Sequence, residues 1–331
     1  MDRQPRDAAR QRAAGVLRRA AEEAGRAPSL LNTQPWRWHL GGDVLELHAD
    51  LSRQVGSIDP RRRLLTLSCG AALHHARVAL AAAGHEPVVQ RLPDRRRPLL
   101  LARVRAREPH PVTRDDLVRY ESMRCRRTDR RPFRAAVPVP AETIAALEAT
   151  ADAEHASLYR IEPDDLDLLR HTAERAQAID AGDELPVAEQ RAWTHRDPGT
   201  GDGVPADTVV ARAARPVPLR DFALGEEATL PPGPGDDRWA SYFVVATEGD
   251  RPLDWLVAGE AASAVWLAAT AEGLVMSPMS DVVEKLGARA LLGTLIDPPA
   301  RPQLVLRAGV DVNPVPPPAS PRRPPRDVID V

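Results

Sequence analysis

Two alanine-rich segments of the chain match each other at a constant offset of 189 residues. Gly70 and Gly84 bracket the first segment, and Gly259 and Gly273 bracket the second. Three alanine pairs coincide between them, namely Ala72 with Ala261, Ala79 with Ala268 and Ala82 with Ala271. Both segments have helical composition, and the first predicts a helix from Ser68 to Gly84. Their small residues would let two helices pack closely. The pattern predicts two tandem repeats around a paired-helix core, although alanine-rich helices can also resemble each other by chance.

Strand-like segments recur around these helices. Trp36–Leu40 and Val44–His48 alternate around a Gly-Gly-Asp turn and predict a hairpin. The apolar run 98–103 matches 302–307, and a further strand is expected at 242–246. We therefore expect an α+β fold, with two mixed, mainly antiparallel sheets that flank the helical core and with terminal segments exchanged between the repeats. The predicted repeats span residues 1–118 and 119–331.

Residues 182–237 have a different character from the rest of the chain. Prolines and glycines interrupt this stretch repeatedly, so no long helix or strand is expected. An insertion of this length is either a functional lid or disordered. Trp193 and Phe222 provide apolar anchors, which favour an ordered lid over the substrate side of a site.

Composition excludes several classes of protein. The chain has 331 residues, 43% of them hydrophobic, and a formal net charge of −2, so it can bury a sizeable core and lacks the basic footprint of a nucleic-acid binder. Its two cysteines are too few for a disulfide scaffold. No segment is typical of a signal peptide or a membrane span, which predicts a cytoplasmic location. His74 and His75 are adjacent, lack a third ligand and are poor metal candidates, so no metal is expected.

The stretch Pro28–Trp36 places hydroxyl and amide side chains between prolines. Ser29, Asn32 and Gln34 can donate to and accept from a flat heteroaromatic ring, and the prolines stiffen the loop and reduce the entropy lost on binding. The alternative is a helix cap at Ser29 followed by the start of a strand. Spacing alone does not separate these two interpretations.

Arginines crowd the segment from Arg124 to Phe133. In an extended conformation Arg126, Thr128 and Arg130 would point to one side, where two guanidinium groups flanking a hydroxyl suit a phosphate or an electron-rich ring edge. The alternative is a solvated basic run. A second basic segment, Ser320–Arg326, is a weaker signal, for which a solvated tail is the simpler interpretation.

Together these motifs resemble the flavin-dependent nitroreductase superfamily, and more narrowly its Acg branch, in which two nitroreductase repeats are fused in one chain. The resemblance covers nearly the whole sequence and is most specific at 27–36 and 126–133. It implies a nitroreductase-like fold and an intramolecular pseudo-dimer. It also implies one intact site for flavin mononucleotide (FMN) across the two repeats, because each binding motif occurs only once.

The resemblance also implies roles for individual residues. No catalytic nucleophile is expected, because flavin carries the chemistry. The turn after the second helix departs from the Glu-Gly that is common in the family, since Met279-Ser280 stands there. The residues expected to bind FMN are Pro28, Ser29, Asn32, Gln34, Arg126, Arg127, Thr128, Arg130, Ser277, Pro278, Met279, Ser280, Arg322 and Arg323.

Three functions are compatible with this resemblance. The first is a two-electron oxidoreductase that takes electrons from NAD(P)H and passes them to a small aromatic or quinone-like acceptor. The others are a non-catalytic flavin-sequestering protein and a natural-product dehydrogenase of the same fold. The pseudo-dimer is expected to be monomeric or to associate further as a homo-oligomer.

Overall fold

The computed structural model describes residues 3–107, 109–133, 137–310 and 315–331, apart from the side chains of residues 3–10, 180 and 181. The described helices are α1 (Arg3–Ala24), α2 (Arg63–Ala82), α3 (Arg114–Cys125), α4 (Ala141–Ala153), α5 (Leu166–Ala181), α6 (Glu184–Trp193), α7 (Pro252–Ala271), α8 (Asp281–Glu284) and α9 (Leu286–Leu292). The strands are β1 (Trp36–Gly41), β2 (Val44–Ala49), β3 (Glu86–Arg91), β4 (Leu100–Arg107), β5 (Ser157–Arg160), β6 (Ser241–Thr247), β7 (Leu274–Met279), β8 (Arg301–Val310) and β9 (Ile329–Asp330).

Helices α2 and α7 pack against each other at the centre of the protein. At their closest approach a methyl group on Gly70 would overlap the carbonyl oxygen of Leu256, and one on Gly259 would overlap that of Leu67. Only glycine fits at these two positions because backbone meets backbone there. The glycine and alanine pattern therefore marks the contact between the two predicted core helices.

Helix α2 begins five residues before the predicted start at Ser68. The Asp59 carboxylate accepts hydrogen bonds from the backbone N–H groups of Arg63, at 2.9 Å, and Leu65, at 2.8 Å, and so stabilises the first turn. The helix is long and apolar enough to cross a membrane, but 89% of its apolar window is buried inside the protein. This degree of burial is typical of the core helix of a folded domain.

Two sheets lie on either side of the helical core, and their strand orders correspond. The first sheet runs β3-β4-β2-β1-β9 and the second β5-β6-β8-β7. Read from the strand that follows each central helix, both contain the same four-strand order. The neighbours are antiparallel except β1 and β9, which are parallel.

The end of the chain returns to the first half. Strand β9 pairs with β1, and the Trp38 N–H donates to the Val328 carbonyl at 2.7 Å. Among the described residues no strand from the first half joins the second sheet in return, so the expected exchange of terminal segments is one-sided. Because the chain returns here, Arg322 and Arg323 lie against Asn32 and Gln34.

Candidate functional site

A cleft with about 950 Å³ of empty volume, part of it open to solvent, lies between α2, α7 and several loops. Its floor is largely apolar, with Leu64, Leu67 and Ala71 from α2 and Ala262 and Trp266 from α7. Both predicted halves of the chain therefore line it. The predicted site residues that line the cleft are Pro28, Ser29, Asn32, Arg126, Thr128, Arg130, Phe222, Pro278, Ser280 and Arg322.

The loop from Pro28 to Gln34 reaches the cleft through a constrained backbone. Leu31, Asn32 and Gln34 have φ values of 48°, 54° and 50°, a region that residues other than glycine seldom adopt. The Ser29 hydroxyl holds the loop by accepting a hydrogen bond from the Gln34 N–H at 2.9 Å, and the Leu30 N–H donates to the Ser68 hydroxyl at 3.2 Å. Such conformations persist where the surroundings fix them and concentrate at ligand sites.

The arginine segment after α3 runs alongside β7. Thr128 forms a parallel bridge to Met276, whose carbonyl also accepts from the Asp129 N–H at 3.1 Å. Extended backbone alternates its side chains, and Thr128 and its two arginine neighbours at 126 and 130 all line the cleft. Arg127 turns away and donates to carbonyl groups of its own segment.

The side chain of Arg126 is buried, and no carboxylate of the described residues pairs with it. Its residue is 6% exposed, and its Nε and Nη1 have no hydrogen-bond acceptor in the described part of the chain. Its guanidinium lies over the Trp266 ring, 4.6 Å from the centroid. Burial, with smaller contributions from Arg322 and Arg127, lowers the pKa of Arg126 to about 9. Burying a charge without a partner costs free energy, so an anion bound next to Arg126 would stabilise this arrangement.

Arg322 approaches the cleft from the returning C-terminal segment. It donates to Asn32 Oδ1 at 3.1 Å, and its Nε has no acceptor among the described residues. Burial and the neighbouring Arg127 and Arg26 lower the pKa of Arg322 to about 10. No carboxylate occurs among the described residues that line the cleft, so Arg126, Arg130 and Arg322 make it an anion site.

Phe222 closes part of the cleft from the insertion. The Arg130 guanidinium lies over its ring, 4.2 Å from the centroid, and burial lowers the pKa of Arg130 to about 10. Val204 of the same insertion also lines the cleft. Two short stretches of the 182–237 segment thus contact the site.

Six residues expected at the site lie elsewhere. Gln34 donates to the Gly201 carbonyl at 2.8 Å and accepts from the Arg323 N–H at 3.0 Å, so both residues connect segments around the cleft. Ser277 and Met279 line a smaller adjoining pocket beside Arg130. The other two are Arg127, described above, and the lid residue Trp193, which packs on the arginines Arg53 and Arg196 outside the cleft.

Comparison with known proteins identifies the family. A Mycobacterium tuberculosis protein provisionally named NAD(P)H nitroreductase Rv3131 is 36% identical over 324 residues, which cover 96% of this chain and 92% of that protein. The protein provisionally named NAD(P)H nitroreductase acg, from the same organism, is 34% identical and covered to 96% in both directions. The chain belongs to the nitroreductase family. No protein-family profile matches the sequence.

Solved structures of nitroreductases are also similar to this family member, at low sequence identity. One, from Bacteroides fragilis with bound FMN, is 12% identical with a TM-score of 0.38, over 60% of this chain and 90% of that one. Another, from Anabaena variabilis, is 12% identical with a TM-score of 0.41, over 81% and 69%. The helices and the two sheets of the described structure confirm the predicted α+β class. The two Mycobacterium tuberculosis relatives confirm the family resemblance.

An ionic cluster stands where the 189-residue offset would place a second cleft in this nitroreductase. The offset relates Ala71 to Glu260 and Trp266 to Arg77. Glu260 is buried and accepts from Arg77 at 2.8 Å and from Arg91 at 2.6 and 2.9 Å, while Arg77 also pairs with Glu154 at 2.6 Å. The offset therefore relates two residues that line the cleft, Ala71 and Trp266, to two members of this cluster.

The sequence analysis did not identify Trp266 as a residue that lines the cleft. Trp266 was assigned only to a packed core helix, because nothing local distinguishes a tryptophan that contacts a buried cation from one in the core. Ser68 and Ser263 were missed for the same reason, since isolated serines on helices give no signal.

Proposed function

We propose that this protein is a cytoplasmic FMN-dependent oxidoreductase of nitroreductase type, which holds one FMN in the cleft described above. The observation that carries the proposal is the set of buried nitrogens on Arg126 and Arg322 that have no acceptor among the described residues, at a cleft with an apolar floor. FMN combines a dianionic phosphate with a flat ring and so matches both features. The NAD(P)H nitroreductase names of the relatives support this assignment.

The proposal assigns a part of the cofactor to each group of residues. Arg126 and Arg322 hold the phosphate, and Thr128, Arg130 and Asn32 contact polar groups of the flavin. Pro28 and Ser29 position the loop against the ring, and Pro278 and Ser280 approach it from the end of β7. When bound, FMN supplies two-electron transfer from NAD(P)H to a small aromatic or quinone-like acceptor.

We also propose that the two halves, 1–118 and 119–331, are fused repeats that form an intramolecular pseudo-dimer. The matching strand order of the two sheets and the paired glycines of α2 and α7 support this. Under this proposal only one of the two related sites binds cofactor, because the ionic cluster fills the other.

Reconstitution tests the proposed function. Purified protein loaded with FMN and desalted should retain about one FMN per chain, and NADH or NADPH should bleach the yellow flavin band within seconds under anaerobic conditions. Bleaching should reverse when a quinone or nitroaromatic is added. Protein that retains no FMN would contradict the cofactor assignment, and two FMN per chain would contradict the single site.

A second candidate function is flavin sequestration, which one feature favours. The insertion is fastened to the cofactor loop, since Asn32 Nδ2 donates to the Gly203 carbonyl at 2.9 Å and Gln34 bonds Gly201. Asp202 between them pairs with Arg53, and with Arg196 at 2.9 Å. A cover held at three successive residues would restrict access to the flavin ring. Protein that retains FMN but is not reduced by NAD(P)H would favour this alternative.

Loosening this cover should increase access to the flavin. Asp202→Asn removes the charge that holds Arg53 and Arg196, so we expect flavin reduction by NAD(P)H and fluorescence quenching by iodide to become several-fold faster. Asp207→Asn, an exposed position on the same insertion, is the matched control and should behave like wild type. Equal rates in the two variants would contradict the role of the insertion as a lid.

A further inference from the structure

A second cavity, the insertion chamber, lies beside the cleft. It has about 820 Å³ of empty volume, part of it open to solvent, and most of its lining comes from residues 210–222 of the insertion. Arg130 and Phe222 line this chamber, the cleft and the small pocket that contains Ser277 and Met279. Because the three cavities share these two side chains, Arg130 and Phe222 form the boundary between the cleft and the chamber.

The lining of the insertion chamber combines apolar and basic side chains. Val210, Pro218 and Leu219 supply apolar surface in addition to the Phe222 ring. Asp221 is the one carboxylate among the described residues of the lining, whereas its arginines are Arg130, Arg212, Arg215 and Arg220. Small-molecule sites typically pair apolar walls with a few polar groups that fix orientation. A flat apolar ligand with a negatively charged group would match both parts of this lining.

Two of the four arginines are balanced by one carboxylate each. Arg220 pairs with the buried Glu284, and both side chains are shielded from solvent. Arg212 lies 3.9 Å from Asp221, and its side chain is 87% exposed, so this pair is loose and contributes little. These two pairs add no net charge to the chamber.

The other two arginines leave positive charge without an equal number of anions. Arg215 lies 3.4 Å from Asp237, but the same carboxylate also pairs with Arg307, so two guanidinium groups share one negative charge. Arg130 lies over the Phe222 ring and pairs with no carboxylate of the described residues. Arg215 also donates to the Arg130 carbonyl at 3.1 Å, which brings these two arginines together. An anion bound between them would gain charge-assisted hydrogen bonds.

We propose that the insertion chamber binds the electron acceptor, and that this acceptor is an aromatic anion such as an aromatic carboxylate. This inference rests on the proposed function, in which FMN occupies the adjoining cleft. The arginines of the chamber hold the negative group, and the apolar surface positions the aromatic ring beside the boundary formed by Arg130 and Phe222. The insertion therefore selects the acceptor by its charge, in addition to covering the cleft.

The test compares the binding of 4-nitrobenzoate with that of 4-nitrobenzamide, which has nearly the same shape and no charge. Calorimetry on full-length protein loaded with oxidised FMN, without a reductant, measures binding alone. Wild type should bind 4-nitrobenzoate about tenfold more tightly than 4-nitrobenzamide, because a hydrogen bond to a charged group contributes more than a neutral one.

Two substitutions in the chamber should change this preference in opposite directions. Arg212→Gln should reduce it about threefold, and Asp221→Asn should increase it about threefold, the size expected for a partly exposed charge. Asparagine keeps the oxygen that accepts the Ala223 N–H at 2.8 Å, so the local turn is retained. Arg238→Gln is the matched control, because Arg238 is exposed, lines none of the three cavities, and should leave the preference unchanged.

The outcomes separate this inference from the proposed function. Wild-type protein that retains no FMN would contradict the proposed function itself. FMN-loaded protein that binds the two nitro compounds equally, or whose preference does not respond to Arg212→Gln and Asp221→Asn, would overturn the role of the chamber alone. If these substitutions instead change only the preference for NADP⁺ over NAD⁺, the chamber binds the phosphate of the electron donor, and the inference is also overturned.

Discussion

Arg126→Met should release FMN while leaving the cofactor-free protein at least as stable as wild type. Each hydrogen bond to a charged group contributes about 1.5–3 kcal/mol. Arg126 lines the cleft, and two of its nitrogens have no acceptor in the described part of the protein. We therefore expect the Kd for FMN to rise roughly 100-fold or more. The apoprotein loses a buried cation without a carboxylate partner, and replacing buried charge with an apolar side chain is often neutral or stabilising.

Weaker FMN binding together with unchanged or higher stability of the apoprotein would separate a role in cofactor binding from a role in folding. FMN affinity is measured by titration, and stability by thermal unfolding of the apoprotein with and without FMN. Arg124→Met is the matched control, because Arg124 is exposed and contacts Glu23 and Tyr120 outside the cleft. An Arg126 variant that binds FMN like wild type but unfolds at a lower temperature would show that this arginine only supports the fold.

Glu260→Ala should reduce the free energy of unfolding by about 3–5 kcal/mol, the usual cost of removing one partner from a buried ion pair. Glu260 pairs with Arg91 and shares Arg77 with Glu154. Removing it leaves positive charge at a site where little solvent reaches. Alanine is the residue at the related position 71, so the substitution also restores the smaller side chain of the open cleft.

Denaturant unfolding measures this loss, and a double variant tests its cause. Glu260→Ala combined with Arg91→Leu should recover part of the lost stability, because the second change removes the unpaired cation. Glu22→Ala removes an exposed helical partner of Arg18 and should change stability by less than about 0.5 kcal/mol. A Glu260 variant as stable as wild type would contradict the structural importance of the cluster. The Glu260→Ala protein should still bind about one FMN per chain.

Local patterns in the sequence predicted much of the architecture. The alternation of Trp36–Leu40 and Val44–His48 around a tight turn predicted the β1–β2 hairpin, because period-two burial and turn chemistry are local properties. The glycines at 70 and 259 marked the helix contact. The beginning of α2 was wrong by five residues, since Asp59 stabilises it from a preceding turn that carries no helical pattern.

The cleft was predicted less completely than the fold. Alternation correctly placed Arg126, Thr128 and Arg130 on one side of an extended segment, because that rule needs only the backbone conformation. The hydrogen-bond partners of Gln34 and Arg323 depend on where the 182–237 insertion and the C-terminal segment lie. Those are contacts between residues more than 160 positions apart, and no local pattern specifies them.

The ionic cluster has a consequence for how such a site can diverge. In a dimer of identical subunits, a glutamate in place of an alanine on the central helix would enter both clefts at once and block both. Here positions 71 and 260 are separate codons of one chain, so one cleft can close while the other keeps its opening. In the proposed pseudo-dimer, covalent fusion would free each side of the molecule from the constraint of symmetry, so that the closed side could be selected for stability alone.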